Sequence, residues 1–329
     1  MTIELEFEQP LKELVEELEK AKASLSNGSG SEEQVADLQS RLDQGLQDLY
    51  ANLNAWQKVQ VARHPQRPLS LDYLRLTFTD FTELHGDRKF GDDPAIVGGP
   101  AFLDGTSVMV VGQQRGHDTR ENGMRNFGMP GPEGFRKAQR LFKVAEKLGL
   151  PVVTLIDTPG ANVGVADEER GQVEAIARSI ADMYSLKVPT VAVIVGQGNS
   201  GGALALGVAD RVLMLEHSTY SVATPEAASS ILWKSSQRAA DAAEAMRITA
   251  QDMIAFGLAD AIIPEPVGGA HRDPTAMALR LRDALEPVVH ELQGLGISEL
   301  LESRYHRYRN IGSAYVTDEK SAAVSRASR

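Results

Sequence analysis

The sequence predicts an α/β domain built on a largely parallel sheet, with helical segments at both ends of the chain. Three observations carry that reading. Short β-branched runs recur at residues 107–111, 152–156, 190–195 and 211–215, bounded by Gly and Pro as buried strands are. Helix-length stretches such as 134–148 and 168–186 lie between them, the alternation expected when strands are joined by crossover helices. The 329 residues are 42% hydrophobic and 5% aromatic, which is the composition of a globular chain with a sizeable core.

The elements follow in order. Leu11, Leu14, Val15 and Leu18 mark one helix face. The run from Ser26 to Ser31 reads as a turn or linker. Ser31 with Gln34 reads as a capping box. The helix it opens carries Val35, Leu38, Leu42, Leu46, Leu49, Leu53 and Trp56 in three- and four-residue steps. Such a hairpin packs on its own domain or on a partner subunit, with a slight lean to the partner because two helices have little core of their own. Pro65 and Pro68 end this region, and the basic residues around them read as a solvated hinge. The strand-and-helix grammar then runs to about residue 265. A mostly helical tail follows, closing in a polar Ser/Arg-rich segment expected to fray.

Composition excludes several functions. The chain has no Cys, so disulfides, thiolate metal sites and a cysteine nucleophile are ruled out within it. With 34 Lys and Arg against 45 Asp and Glu, the formal charge of −11 argues against a nucleic-acid surface as its main task. No apolar stretch has the roughly 20 residues of a membrane helix. The acidic N-terminus resembles neither a signal nor a transit peptide, so a cytoplasmic location is expected.

Three segments could carry chemistry. The first runs from Val191 through Gly196-Gln197-Gly198-Asn199-Ser200-Gly201-Gly202 into an Ala/Leu-rich helix. Glycines at such a junction permit close backbone approach, and the first helical turn leaves N–H groups free to form an oxyanion hole. The same residues match a G-x-S-x-G nucleophile elbow, so a serine hydrolase with Ser200, Asp260 and His271 is the rival reading. The second is Ile156-Asp157-Thr158-Pro159-Gly160-Ala161, a strand end at the sheet edge where ligands bind. Asp157 reads more as a turn acceptor than as a reacting group. The third gathers Arg115, His117, Arg120, Arg125, Arg136, Lys137 and Arg140, which could meet an anion or form ordinary salt bridges.

Ordered together, Ala62-Arg63-His64-Pro65-Gln66-Arg67-Pro68, Ala95-Ile96-Val97-Gly98-Gly99, Arg125-Asn126-Phe127-Gly128-Met129-Pro130, the Asp157 and Ser200 segments, and Ile263-Pro264-Glu265-Pro266-Val267-Gly268-Gly269-Ala270-His271-Arg272 closely resemble the alpha-subunit family of bacterial acetyl-CoA carboxylase carboxyltransferase. The resemblance spans nearly the whole chain. It implies a crotonase-like spiral of ββα units: an N-terminal helical extension over residues 1–68, the carboxyltransferase domain over 69–300 and a C-terminal tail over 301–329. It implies transfer of a carboxyl group from carboxybiotin, borne on biotin carboxyl carrier protein, to acetyl-CoA, giving malonyl-CoA for fatty-acid biosynthesis. It implies an α2β2 assembly with a zinc-ribbon beta subunit, biotin carboxylase in the larger complex, biotin as a cofactor carried by a partner, and no metal, nucleic acid or membrane for this chain. The site it implies places backbone N–H groups of Gly201 and Gly202 on the biotin ureido oxygen. Asp157, Pro159, Gly160, Ala161, Gly164, Gly198 and Ala203 would form the surrounding pocket, with Ser200 only a small turn residue. The chain departs from the family pattern at Gln197 and Asn199, at Asn162 and Val163, and at Ala227-Ala228-Ser229. A third reading is a catalytically silent scaffold.

Overall fold

The structure, a computed structural model, describes residues 5–313. Seven strands form one sheet: β1 (Ile96–Leu103), β2 (Thr106–Gln113), β3 (Val152–Thr158), β4 (Thr190–Asn199), β5 (Arg211–Leu215), β6 (Thr219–Ser221) and β7 (Ala261–Ile263). The order is β1-β2-β3-β4-β5-β7, and β6 pairs with β4. Among these strands only β1 and β2 pair antiparallel, and the other strand pairs are parallel. A two-residue turn at Asp104 and Gly105, both with positive φ, joins β1 to β2, which suits the twist of a tight hairpin.

The long strand β4 organises the sheet. Its first half pairs with β5, from Val191 with Arg211 to Ile194 with Met214. Its last residues pair with β6, from Gln197 with Thr219 to Asn199 with Ser221. The chain therefore turns beside β4 and starts a second short strand further along, as a spiral does. Every residue of β3 and β4 is buried. The strand period of two sorts them into two cores. Val191, Val193 and Val195 face the helices Ser70–Thr77 and Pro274–Gln293, while Ala192 and Ile194 face Pro132–Leu148, Gln172–Ser185 and Ser200–Gly207.

The N-terminal hairpin comprises Lys12–Ser26 and Glu32–Ala51. Ser31 accepts from the Gln34 N–H (3.4 Å). The two apolar stripes close on each other, burying Leu18, Leu42 and Leu46. The second helix stops at Ala51, short of Leu53 and Trp56. Asn54 and Gln57 form a reciprocal cap that starts a new helix, Ala55–Ala62, and that local capping overrides the apolar periodicity. Glu8 ties the hairpin to the sheet domain, accepting from the Tyr50 hydroxyl (2.8 Å) and from Arg272 (2.6 Å).

The basic run at 63–68 is not a solvated hinge. Arg67 is wholly buried. It donates to Glu265 (2.9 Å) and to the Val195 carbonyl (2.8 Å), pinning the segment to β4. Burial pushes the Glu265 carboxyl up, but the Arg67 and His217 charges outweigh it and hold it at about 2. At the other end, helix Ile297–Arg309 runs through residue 300. Its buried Arg304 donates to both Asp210 oxygens (2.7 Å each) and to the carbonyls of Leu186 (2.7 Å) and Val188 (3.1 Å). The polar segment expected to fray lies outside the described residues.

A buried ion pair that loses one partner leaves an uncompensated charge. Arg304→Met is therefore expected to lose about 3–5 kcal/mol in urea unfolding. A loss below about 1 kcal/mol, the scale of exposed pairs, would contradict the role given to this residue.

Candidate active site at the strand ends

The site is built where β3 and β4 end. Their register shifts between Ile156 and Thr158, a local bulge that sets Asp157 out of step. The Asp157 carboxylate fills the space over Gly196, where an added Cβ would lie 2.6 Å from its Cγ. It accepts from the Gln197 N–H (2.9 Å) and from Arg115 Nε (3.0 Å). Asp157 is thus a buried acceptor that locks the two strands and Arg115 together.

Residues 196–199, expected as a glycine turn, instead continue β4 up to the helix. The chain reverses at Ser200, whose φ is +59°, and enters helix Ser200–Gly207 without a side-chain cap. Its first N–H groups consequently lack intrahelical partners and carry the positive end of the helix dipole. A Cβ at Gly202 would sit 2.5 Å from the Ala161 nitrogen and 2.6 Å from the Gly160 carbonyl carbon. No residue with a side chain fits there without moving the loop. Gln113 donates to the Gly202 carbonyl (2.7 Å) and steadies this contact from below.

The two predicted segments therefore meet. Gly160 and Ala161 face Gly202, while Pro159 is half-buried at the same turn. Gly198 lies in β4 beneath the Tyr220 ring. Gly164 begins the short helix Val165–Glu169. The Ala203 side chain is fully buried in the core, so it offers the site only backbone. Beside Ser200 and Gly201 opens an apolar cavity of about 530 Å³, lined by Leu204, Tyr220, Val222, Met253 and Phe256.

Sequence reasoning missed a clamp on this turn. Arg63 donates from Nε to the Gln197 side chain (2.7 Å) and from Nη2 to Glu226 (3.0 Å). It thereby joins the end of helix Ala55–Ala62 to the end of β4 and to helix Pro225–Trp233. The only signal in the sequence was a cation fixed between a helix end and Pro65.

The cations at 115–140 are mostly consumed by the fold. His117 pairs with Asp72 (2.8 Å), Arg125 donates to the Pro94 carbonyl (2.7 Å), and buried Lys137 pairs with Asp92 (2.7 Å). Arg120 is exposed.

The hydrolase constellation is not assembled. Asp260 accepts from the Val212 N–H (2.7 Å) and pairs with Arg307. Val212 is level with Ala192, seven residues before Asn199 on β4, so the Asp260 carboxylate is engaged at the start of the sheet strands and not at the Ser200 turn. His271 stacks on His64, with ring centroids 3.8 Å apart. Its neighbour Ala270 belongs to the core on the sheet face opposite the Ser200 helix.

The same architecture occurs in known proteins. Transcarboxylase 12S shares the fold with a TM-score of 0.55 at 21% identity, over 68% of this chain and 42% of that one. A Pseudomonas malonate decarboxylase hetero-tetramer matches with a TM-score of 0.57 at 21% identity, over 71% and 93%. The fold is thus that of the crotonase-like carboxyltransferases. At the level of sequence, the family model described as acetyl co-enzyme A carboxylase carboxyltransferase-like matches residues 4–312. Acetyl-coenzyme A carboxylase carboxyl transferase subunit alpha of Paraburkholderia phytofirmans is 52% identical over 94% of this chain and 96% of its own, and the Burkholderia mallei protein of the same name matches to the same extent. The chain belongs to the acetyl-CoA carboxylase carboxyltransferase alpha-subunit family.

Two predictions follow from the geometry. Gly202→Ala should fold but force the Gly160–Ala161 loop away, and should abolish activity in the assembled enzyme; retention of most of the rate would contradict the close contact. The second concerns pH. Burial, with His64 and Arg272 close by, pushes the His271 ring down to about 3. An unfolded histidine takes up its proton near 6.5. Stability from this group is thus complete above about 6.5 and is lost as pH falls toward 3. The loss is about 2 kcal/mol at about pH 5. Denaturant titrations at the two pH values should show a smaller acid loss in His271→Gln, and equal losses would refute the assignment.

Proposed function

We propose that this chain is the biotin-side half of a carboxyltransferase, moving a carboxyl group from biotin on biotin carboxyl carrier protein to acetyl-CoA to form malonyl-CoA. The observation that carries the reading is the uncapped first turn of helix Ser200–Gly207, held against Gly160–Ala161 at the rim of an apolar cavity.

The residues fit biotin. A bicyclic ring with one polar oxygen suits an apolar cavity with backbone donors at its edge. Gly201 and Gly202 would hold the ureido oxygen, Leu204 and Val222 the ring, and the Asp157–Gly164 segment, with Gly198 and the Ala203 backbone, the facing wall. Bound biotin supplies the carboxyl group in transit between carrier and acyl acceptor. The two N–H groups favour negative charge on the oxygen they face, and one such donor is typically worth about 3–4 kcal/mol of barrier. The donors are rigid because Gln113, Asp157 and Arg63 fix the strand ends that carry them. Apolar walls keep water from the site, where it would quench charge. No protein nucleophile is needed, and Ser200 serves the turn.

The site is half of an enclosure. Val163 and Val165, in the segment after the Gly160–Ala161 turn, and Val222 at the cavity are 87%, 79% and 81% exposed, apolar surface that a partner would cover. A zinc-ribbon beta subunit would cover it and bring the acyl-CoA, in an α2β2 enzyme working with biotin carboxylase in cytoplasmic fatty-acid synthesis. The N-terminal extension up to residue 68 then serves docking, while the boundary expected at 300 falls inside helix Ile297–Arg309, which Arg304 joins to the domain.

The test is biotin-dependent decarboxylation of malonyl-CoA. The chain alone should give background, and adding a beta subunit should give turnover. Ser200→Ala should retain a substantial part of that rate. Full activity without any partner would overturn the half-site reading, and a large loss in a folded Ser200→Ala enzyme would favour a nucleophilic serine.

A further inference from the structure

A second cavity, of about 420 Å³, lies on the outer side of helix Pro132–Leu148, between that helix and the loop around Asp87. It is lined by six cations: Arg88, Lys89, Arg136, Arg140, Lys143 and Lys147. The charge density is unexpected in a chain with a formal charge of −11.

The one carboxylate in the lining is already used. Asp87 Oδ1 accepts the N–H groups of Lys89 (2.8 Å), Phe90 (2.8 Å) and Gly91 (3.0 Å), and Oδ2 takes Arg136 (3.1 Å). Arg140 donates to the carbonyls of Gly86 (3.0 Å) and His85 (3.1 Å). These bonds make the loop a fixed wall. They also hold Arg88 at φ +59°, a conformation that costs a non-glycine residue about 1 kcal/mol or more. Arg88, Lys89 and Lys147 have no ion pair among the described residues, and Lys143 meets Asp182 only at 3.6 Å, an acid already paired with Arg178 at 2.8 Å. Burial, then the Arg88 charge, pushes the Arg140 guanidinium below its usual range. Asp87 and Glu133 balance Arg136, whereas Arg88, Lys89 and Lys147 share the cavity with no carboxylate of their own among the described residues.

We infer that this cavity binds the phosphates of a small di- or triphosphate-bearing molecule. Lys143 and Lys147 are about 6 Å apart along the helix axis, a span that linked phosphates bridge, and Arg88 and Lys89 close on them from the loop. Two or more negative charges would relieve the repulsion and gain charge-assisted hydrogen bonds from Arg88 and the lysines. The inference does not depend on carboxyl transfer, and its readout is binding rather than turnover.

The experiment is calorimetric titration of the full chain with inorganic pyrophosphate, ATP, CoA and orthophosphate, at about physiological ionic strength so that long-range attraction is screened. Saturable one-to-one binding of pyrophosphate, ATP or CoA, tighter than orthophosphate, is expected. It should weaken at least about tenfold, or about 1.4 kcal/mol, in Arg88→Gln/Lys143→Gln, and again in Lys89→Gln/Lys147→Gln, which guards against a misfolded first variant. Lys20→Gln/Lys22→Gln on the N-terminal hairpin should bind as the parent does. Similar affinities for pyrophosphate and CoA would assign the site to phosphates alone, and much tighter CoA would assign it to that molecule; either supports the inference. Absence of saturable binding at millimolar probe, equal weakening in the hairpin variant, or binding only to a polynucleotide would overturn it.

Discussion

The contact on which the site depends is between two stretches of bare backbone. Gly202, in the first turn after β4, lies against Gly160 and Ala161, in the turn after β3. Adjacent strands stand about 4.8 Å apart, and the turns that leave them can touch only if neither intrudes with a side chain. That approach fixes the direction of the helix that follows β4, and with it the N–H groups that any ligand at the strand ends would meet. Asp157 sets the same geometry one step earlier, filling the place that a side chain at Gly196 would take.

Buried and half-buried arginines supply the rigidity that the glycines cannot. Arg115 holds Asp157, Arg63 bridges Gln197 and Glu226, Arg67 joins Glu265 to the Val195 carbonyl, and Arg304 gathers Asp210 and the carbonyls before β4. Each planar guanidinium spans several elements at once, which a single-point cation such as Lys does less well. Such pairs contribute less to net stability than their number suggests, since burying charge carries a large desolvation cost. Their effect here is positional: they join the N-terminal segment, the strand ends and the C-terminal helix into one frame.

Much of this was legible in the sequence, for identifiable reasons. The strands at 152–156, 190–195 and 211–215 announced themselves because both faces are buried, leaving unbroken apolar runs. The strands β1, β6 and β7 did not. The first carries Gly98, Gly99 and Pro100, and the other two are three residues each. The glycine cluster located the site, yet its first half proved to be strand, because β6 pairs with it through a distant stretch of chain. The run at 63–68 was misread because composition does not reveal that Glu265, almost two hundred residues away, is the partner of Arg67. His271 and Asp260 had the right order for a triad, but order carries no information about which face or which end of a sheet a residue occupies.

In the proposed function the backbone at Gly201 and Gly202 is the donor pair for biotin. A crystal structure of the chain with its beta subunit and a biotin derivative tests it most directly. The ureido oxygen is expected about 2.7–3.1 Å from both nitrogens, with the ring in the cavity beside Leu204 and Val222. Biotin seated elsewhere, or a ureido oxygen held by side chains with these N–H groups unengaged, would contradict it.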